Sequence, residues 1–375
     1  MKVAFVHDWL NGMRGGEVVL ETMLKEFPDA PVYTLFYDKG SVSQEIERHP
    51  IFTSFLQNFP MRKKFYRYML PLFPYAIEGF RIRGYDLIIS SSHCVAKGII
   101  PEPDTLHISY IHSPMRYVWD LFGDYFKDYG SIKKSVINFF AKKLREWDCV
   151  SSSRVDLFLA NSTYVSQRIK KFYGRESIII HPPVMTDKFE VQKDSEDFYL
   201  IVSAMAPYKR IDLAIEAFSI MGKKLVIAGS GQDEKKIKKL CLGKENISYL
   251  GWVSFEKVKF LFQRCKAFIL PGIEDFGIAP VEAMACGKPV IAYGKGGALD
   301  TVIPLGSKCE KPTGVFFMEQ TPQSLIEAVE TFEKNIKEFD PVAIRKHSEK
   351  FSERIFLEKF RSLIEGVKRG VIKRR

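Results

Sequence analysis

Two glutamates with seven residues between them stand out in the stretch EDFGIAPVE, which runs from Glu274 to Glu282. Pro280 suits the first turn of a helix, where its missing N–H costs nothing, and Gly287 suits a helix stop. The sequence therefore predicts a short helix over residues 280–286, with Glu274 in the preceding loop and Glu282 on the helix. The two carboxylates would then flank the start of one helix.

The start of this helix is a candidate anion site. Phe276, Gly277 and Ile278 precede it, and their N–H groups would point outward at the positive end of the helix dipole. Apolar runs at 266–270 and 289–293 predict strands on either side, which places the helix start at the carboxyl edge of a parallel sheet. The plain alternative is that both glutamates are solvated surface residues.

The elements that position these residues follow from the pattern of the whole chain. Short apolar runs alternate with helical stretches, which predicts an α/β fold of parallel sheets covered on both faces. A chain of 375 residues is too long for one ordinary core, so we expect two domains. A polar stretch between Pro183 and Phe198 indicates a boundary near Val184, and mixed three- and four-residue apolar spacing predicts an amphipathic helix at 352–371.

Composition limits the partners. The net charge of +11 and pI of about 9.1 favour an anionic partner, which could be nucleic acid, an anionic membrane or a phosphorylated substrate. The six cysteines form no C-x-x-C pair, so neither a zinc site nor a disulfide framework is indicated. No apolar run reaches the roughly 18 residues of a spanning helix, and we expect a cytoplasmic or peripheral protein.

Three further positions could carry chemistry. Gly15 and Gly16 follow the first strand, where a glycine pair allows either close approach to an anion or a simple turn. Lys209 and Arg210 follow the first strand of the second half and would hold phosphates or simply charge a surface helix. His112 closes another strand at its carboxyl end, where ligands gather, although a lone histidine there is often structural.

The string from Glu274 through Ala292 resembles the signature of family 4 glycosyltransferases, in which two glutamates at this spacing lie in the nucleotide-sugar pocket. The resemblance implies the GT-B fold, with two Rossmann-like doubly wound domains facing across a cleft. Residues 1–183, with a returning helix at about 352–375, would form the acceptor-side domain. Residues 184–351 would form the donor-binding domain.

The resemblance also implies roles for single residues. Glu282 would bind the nucleotide ribose, Glu274 the sugar hydroxyls and Lys209 the diphosphate. The family usually has an arginine where this chain has Ala204, and Arg210 could replace it only by turning inward. The remaining donor-binding candidates are Gly15, Gly16, Ser203, Phe276, Gly277, Ile278, Gly296 and Gly297.

The segment around His112 resembles the His-x-Pro loop of bacterial transferases that add mannose to O-antigen or similar surface glycans. The resemblance implies retaining transfer from GDP-mannose to a lipid-linked or surface-glycan acceptor, in lipopolysaccharide or polysaccharide biosynthesis, without metal or cofactor. Glu274, Lys209 and His112 would act at the reacting sugar. The candidates for the acceptor side are Arg116, Tyr117, Trp119 and Asp120.

The segment 62–74 mixes cations with large apolar side chains, which is typical of an interfacial membrane segment. It predicts attachment to an anionic membrane surface, although a solvated basic face would look the same. The cations concerned in the attachment are Arg62, Lys63, Lys64 and Arg67.

Trp252 is expected in the core, because aromatic residues are buried more often than they stack on bases.

Other functions stay open at this stage. A UDP-sugar could replace GDP-mannose as the donor. A sugar-nucleotide epimerase or hydrolase could share the fold. A non-catalytic nucleic-acid-binding protein is favoured only by the net charge, and no nucleic-acid partner is expected.

Overall fold

The computed structural model describes residues 1–120, 122–123, 130–192 and 194–372. The chain forms two compact units: Met1–Pro183 with Phe356–Arg375, and Val184–Ile355. The sequence places the return of the last helix at about residue 352, whereas the chain re-enters the first unit at Phe356.

Within its described residues the first unit has one parallel sheet in the order β3-β2-β1-β4-β5-β6-β7. Its strands are β1 (Val3–His7), β2 (Val32–Thr34), β3 (Ile51–Thr53), β4 (Leu87–Ser92), β5 (Leu106–Ile111), β6 (Leu157–Ala160) and β7 (Ser177–Ile179). Its α-helices are α1 (Gly15–Leu24), α2 (Gln44–Glu47), α3 (Arg62–Phe65), α4 (Phe73–Glu78), α5 (Ser131–Ser152) and α6 (Thr163–Tyr173).

The second unit has a parallel sheet in the order β10-β9-β8-β11-β12-β13. Its strands are β8 (Tyr199–Val202), β9 (Leu225–Ala228), β10 (Ile247–Gly251), β11 (Ala267–Leu270), β12 (Val290–Tyr293) and β13 (Gly314–Phe317). Its α-helices are α7 (Ile211–Met221), α8 (Glu234–Cys241), α9 (Phe255–Arg264), α10 (Ile278–Ala285), α11 (Ala298–Thr301), α12 (Pro322–Lys334) and α13 (Pro341–Ser348). The last helix, α14, spans Glu353–Lys368 and carries the chain back to the first unit.

Short 3-10 helices connect these elements. They span Phe55–Asn58, Tyr66–Leu72, Ala96–Gly98, Thr186–Lys188, Pro207–Lys209, Ile336–Glu338 and Glu349–Phe351.

The central strands β1, β4, β5, β11 and β12 are buried along their whole length, as expected where helices cover both faces of a parallel sheet. In β1, for example, Phe5 packs into a core that includes Phe356 and Phe360 of α14. Its neighbour Val6 points the other way and packs into the core around Phe36 and Phe73. Continuous apolar strands of this kind predict the α/β class, and that prediction is confirmed.

Each sheet has a topological switch point, where consecutive strands leave in opposite directions and a crevice opens at the carboxyl edge. In the first unit it lies between β1 and β4, and in the second between β8 and β11. The candidate functional residues follow these four strands or lie beside them.

Candidate functional site

An ion pair between Lys209 and Glu274 spans the switch point of the second unit. Lys209 ends the 3-10 turn after β8, and Glu274 lies in the loop after β11. The Lys209 Nζ donates to the Glu274 Oε1, and the two side chains are 13% and 14% exposed. The sequence assigned these residues separate roles, whereas the fold makes them partners.

Gly272 makes this pairing possible. A Cβ at this position would lie 2.5 Å from the Tyr208 carbonyl oxygen and 2.6 Å from the Cα of Lys209. Only a glycine allows the loop after β11 to pass so close to the Lys209 backbone. The Pro271–Gly272 pair was a signal for this turn that the sequence analysis left unused.

Helix α10 begins beside Glu274. It starts at Ile278, so the prediction of a start at Pro280 was wrong by two residues. Pro280 still lies in the first turn, where its missing N–H would have had no intrahelical partner. Gly277 precedes the helix with φ of 94°, a left-handed conformation that favours glycine. The positive end of the helix dipole is therefore placed next to the ion pair.

Phe276 contributes to the core rather than to the surface of this site. Its side chain is 3% exposed, and its ring meets the ring of Phe351 with the centroids 5.6 Å apart. The expected role of Phe276 in donor binding is therefore limited to its backbone.

Glu282 lies on α10 in a partly buried position. Burial raises the pKa of its carboxyl group to about 7, and the charge of Lys188 acts in the opposite direction. Among the described residues, no hydrogen bond or ion pair reaches this side chain. A carboxyl group that titrates near neutral pH can accept hydrogen bonds from ligand hydroxyls or donate one.

Gly296 and Gly297 support the Glu274 loop. The Gly297 N–H donates to the Glu274 carbonyl at 2.8 Å, and a Cβ on Gly297 would lie 2.3 Å from the Cα of Phe276. A Cβ on Gly296 would lie 2.4 Å from the same Glu274 carbonyl oxygen. The Gly297 N–H already has a partner within the protein. The expectation that these glycines bind the donor directly is therefore corrected for this N–H.

Two glycines that the sequence analysis missed hold the Ser203 loop. A Cβ on Gly229 would lie 1.9 Å from the Ser203 carbonyl oxygen, and one on Gly231 would lie 2.6 Å from that of Met205. The Gly-x-Gly pattern directly after β9 was the available signal. The Ser203 N–H is also used internally, because it donates to the Ala228 carbonyl at 3.1 Å.

Arg210 has a local partner. It adopts a left-handed conformation with φ of 50° before α7, and its Nε lies 3.4 Å from the Asp212 Oδ1. This geometry pairs Arg210 with the first turn of its own helix. Glu274 pairs with Lys209, and Arg210 pairs with Asp212. Arg210 therefore does not pair with Glu274 in place of the arginine that the family usually has where this chain has Ala204.

In the first unit, His112 belongs to a cluster at the switch point. Its Nε2 lies 2.8 Å from the Ser91 Oγ, which in turn lies 3.1 Å from the His7 Nδ1. Gly16, in the first turn of α1, lies against both rings: its Cβ would be 3.6 Å from the His112 Nε2 and 3.6 Å from the His7 Cε1. The fold thus unites Gly16 and His112, and Gly15 begins the same helix.

His112 is a neutral imidazole at pH 7. Burial lowers the pKa of His112 well below its ordinary value, and the nearby His93 and His7 act in the same direction. The ring centroid of His93 lies 6.4 Å from that of His112. A neutral histidine can both accept and donate a hydrogen bond.

Asp8 lies beside this cluster, with its Oδ2 3.1 Å from the His93 Nδ1, and the sequence analysis did not identify it. It is fully buried, and its two oxygens accept four backbone N–H groups over distances of 2.6–2.9 Å. The donors are His93, Cys94, Val95 and Ala96. This carboxylate fixes the loop that follows β4.

Three of the four acceptor-side candidates bond within the first unit. The Tyr117 hydroxyl lies 2.8 Å from the Cys94 Sγ, and the Trp119 Nε1 donates to Asp148 at 2.7 Å. Asp120 pairs with Arg168 at 2.6 Å. These contacts hold Tyr117, Trp119 and Asp120 within the first unit, and their contact with an acceptor stays a prediction. For Arg116 the acceptor contact stays a prediction.

Arg62 corrects the expected membrane surface. It is 7% exposed and pairs with Asp38 at 2.6 Å, so it points into the first unit. Lys63 is exposed, while the side chains of Lys64 and Arg67 lie outside the described residues. Trp252 is 76% exposed, so its expected place in the core was wrong.

The described residues contain neither a metal-binding cluster nor a spanning helix. No group of three or more histidine, cysteine, aspartate or glutamate side chains there could hold a metal ion. Within the same ranges, no helix is both long and apolar enough to cross a membrane.

Residues 185–354 match the family described as glycosyl transferases group 1. The chain is 25% identical over 313 residues to an uncharacterized glycosyltransferase of Methanocaldococcus jannaschii, covering 81% of this chain and 82% of that protein. It is 28% identical over 152 residues to the O-antigen chain mannosyltransferase RfbU of Salmonella typhimurium, covering 38% of this chain and 43% of that protein. The structure of Anabaena HepE in complex with UDP-glucose superposes with a TM-score of 0.71 at 16% identity, over 98% of this chain and 100% of HepE. That likeness shows the fold, which is GT-B.

Proposed function

We propose that this chain is a glycosyltransferase that transfers mannose from GDP-mannose. The match of residues 185–354 to the family described as glycosyl transferases group 1 supports this assignment. The acceptor in this proposal is a lipid-linked or surface glycan, and the new bond keeps the anomeric configuration of the donor sugar. The likeness to an O-antigen mannosyltransferase supports the choice of mannose. The roles of single residues rest on the geometry of the second unit.

The observation that carries the proposal is the Lys209–Glu274 pair beside the start of α10. An arriving diphosphate would be attracted by Lys209 and by the positive end of the helix. Glu274 would then exchange its lysine partner for hydroxyl groups of the sugar. Lys209 and the helix start would stabilise the negative charge that develops on the leaving nucleoside diphosphate.

Glu282 fits the nucleotide end of the donor. Its carboxyl group lies on α10 without a protein partner among the described residues, and burial raises its pKa to about 7. Two vicinal hydroxyls of a ribose would supply the hydrogen bonds that the protein leaves unmade. The proposed reaction uses no metal, because Lys209 and the helix start would supply the positive charge at the diphosphate.

A UDP-sugar is the second candidate donor. It is favoured by one observation, the UDP-glucose bound in the structurally similar HepE. Both donors present a diphosphate and a ribose, so Lys209 and Glu282 would serve either. Which of the two donors the protein prefers must therefore be measured.

Thermal-shift titration with GDP, GDP-mannose, UDP and UDP-glucose tests the donor, followed by transfer of labelled mannose to a lipid extract. We expect GDP-mannose to stabilise the native chain and Lys209→Ala to lose at least about tenfold in affinity, since a charged contact contributes on the order of 1.5–3 kcal/mol. Lys266→Ala is the matched control, because Lys266 pairs with Glu333 at 2.8 Å in the same unit but precedes β11. Stabilisation by UDP-glucose alone would reject mannose transfer, and donor consumption without an acceptor would indicate a hydrolase or epimerase.

We also propose that the first unit attaches to the cytoplasmic face of an anionic membrane through the segment 61–75. Met61, Tyr68 and Tyr75 are 69%, 78% and 71% exposed, and Lys63 is exposed beside them. Exposed aromatic side chains next to cations are typical of interfacial binding. Arg62 takes no part, because it is paired inside the unit.

Vesicle flotation tests the attachment, with anionic and neutral phospholipids compared at two salt concentrations. We expect binding to anionic vesicles that falls several-fold in Tyr68→Ala combined with Tyr75→Ala. Trp252→Ala is the control, since it removes an exposed aromatic residue of the second unit. Binding that salt abolishes and that the tyrosine substitutions leave unchanged would indicate a plain basic surface instead.

A further inference from the structure

A continuous chain of polar side chains runs behind His112 in the first unit. It passes from the Glu17 carboxylate to the His7 ring, then to the Ser91 hydroxyl and finally to the His112 ring. Glu17, His7 and Ser91 are all buried, at 3%, 0% and 0% exposed. Water therefore has little access to these groups, so their polar hydrogens can be donated only to other members of the chain of side chains.

The Ser91 hydroxyl decides the direction of these hydrogen bonds. It has a single hydrogen, so it can donate to only one of the two imidazoles and must accept from the other. Its oxygen lies 3.1 Å from the His7 Nδ1 and 2.8 Å from the His112 Nε2. The tautomer of one ring therefore sets the tautomer of the other.

Glu17 breaks the symmetry between the two rings. Its Oε1 lies 3.8 Å from the His7 Nε2, a ring nitrogen that is buried and has no hydrogen-bond partner. Attraction by the carboxylate favours the hydrogen on that nitrogen. With one hydrogen on the ring, placed on Nε2, His7 has its lone pair on Nδ1, so Ser91 donates to His7 and accepts from the Nε2–H of His112.

This arrangement leaves the Nδ1 of His112 with a lone pair. Among the described residues no hydrogen bond reaches that nitrogen, whereas the His112 backbone is held on both sides: its N–H donates to the Ser92 carbonyl at 2.9 Å, and its carbonyl accepts from Asn161 at 2.9 Å. We propose that Glu17, His7 and Ser91 are positioning residues that fix the tautomer of His112, so that its Nδ1 accepts a hydrogen bond from a substrate hydroxyl. The ligand part of this inference rests on the proposed function, and the tautomer part does not.

The chain contains its own control for this inference. Ser90, the neighbour of Ser91 on β4, is equally buried, and its hydroxyl lies 2.8 Å from the His107 Nε2. His107 has its other ring nitrogen 3.0 Å from the Arg154 carbonyl, so both of its nitrogens have protein partners. Ser90→Ala and Ser91→Ala therefore each remove a serine–histidine bond from the same strand, and Ser90→Ala also removes the 2.8 Å bond from the Ser90 hydroxyl to the Ser109 Oγ.

Nuclear magnetic resonance of the full chain with ¹⁵N-labelled histidine reads the tautomers directly. The His112 signals are assigned by their loss in His112→Gln. We expect the Nε2–H tautomer of His112 in the native chain, a mixture in Ser91→Ala, and a smaller shift in the same direction in Glu17→Gln. Glu17→Gln keeps an oxygen that can accept from the Arg14 N–H, so it tests the charge even if Ser91→Ala unfolds.

Kinetics with the donor give the second readout. We expect Ser91→Ala to raise the donor KM or lower kcat by about tenfold, the usual size of one hydrogen bond, and Ser90→Ala to leave both unchanged. An Nδ1–H tautomer in the native chain, or an unchanged His112 signal in both Ser91→Ala and Glu17→Gln, would overturn the inference. If the tautomers follow the expectation but GDP-mannose is not used, only the proposed donor fails.

Discussion

Both units place a carboxylate just after a strand at the switch point of a parallel sheet, yet the two carboxylates are used differently. Asp8, after β1, accepts four backbone N–H groups and is fully buried. Glu274, after β11, is 14% exposed and pairs with Lys209. A carboxylate that accepts four backbone N–H groups holds its loop in place, whereas one bound to a movable lysine can exchange that partner for a ligand.

The functional residues at the carboxyl edges of the two sheets also differ in how burial shifts their pKa. In the first unit, burial lowers the pKa of His112 and His93, so the imidazoles stay neutral. In the second unit, burial raises the pKa of Glu282 to about 7. The same physical cause, loss of hydration of the charged form, therefore gives the two units opposite dependences on pH.

The largest expected effect comes from Asp8→Ala. It leaves four buried N–H groups without an acceptor, and each unsatisfied group costs about 1–3 kcal/mol, so the first unit should lose on the order of 4 kcal/mol or more. Denaturant unfolding measures this, with Asp104→Ala at an exposed position of the same unit as the control. A loss below about 1 kcal/mol would mean that water replaces the carboxylate and that the contrast with Glu274 is wrong.

Glu274→Gln should act on transfer rather than on folding. A hydrogen bond to a charged group contributes about 1.5–3 kcal/mol, so the loss of the Glu274 charge at the sugar should lower kcat/KM by about 10- to 150-fold. Steady-state kinetics measure it, and Glu333→Gln serves as the control because Glu333 binds Tyr199 and Lys266 of the same unit. A variant that unfolds like Asp8→Ala while the remaining folded fraction keeps full kcat would show that both carboxylates are structural.

Glu282→Gln tests the pH dependence of the second unit. A raised pKa means that the folded chain keeps a proton which the unfolded chain releases between the ordinary glutamate value of 4.5 and about pH 7, so the stabilising contribution is lost as pH rises through this window. The substitution should therefore stabilise the chain by up to about 3 kcal/mol at pH 8 and have little effect at pH 4. Unfolding measured at the two pH values checks this. Equal effects of the substitution at both pH values would show that burial does not raise the pKa of Glu282.

The first unit should respond in the opposite direction. Burial lowers the pKa of His107 to about 4, so the unfolded chain binds a proton below about pH 6.5 that the folded chain does not. This residue alone should lower the stability of the first unit by about 2 kcal/mol between pH 7.5 and pH 5. Hydrogen exchange reports each unit separately. Slower exchange of the β4 and β5 amides at pH 5, after correction for the intrinsic rate, would contradict the contrast.

Much of the fold was readable from the sequence. Continuous apolar strands and helical spacing predicted the two parallel sheets, and the Glu274–Glu282 string carried the resemblance to glycosyltransferases, because these signals depend on neighbours within a few residues. Ser254 shows the same kind of local signal, because a serine directly before a helix can cap it, and its hydroxyl accepts from the Lys257 N–H at the start of α9. Local spacing is sufficient for features of this kind.

The tertiary structure decided which of these residues meet. Ser91 and His112 are 21 residues apart and Lys209 and Glu274 are 65 apart, so their contacts depend on which strands lie side by side. The direction of a side chain is equally non-local, since Arg62 turns inward to pair with Asp38. The sequence alone determined the elements and the kind of chemistry at their ends. Strand order determined the partners, because the free energy of an ion pair or hydrogen bond depends on groups that the sequence separates.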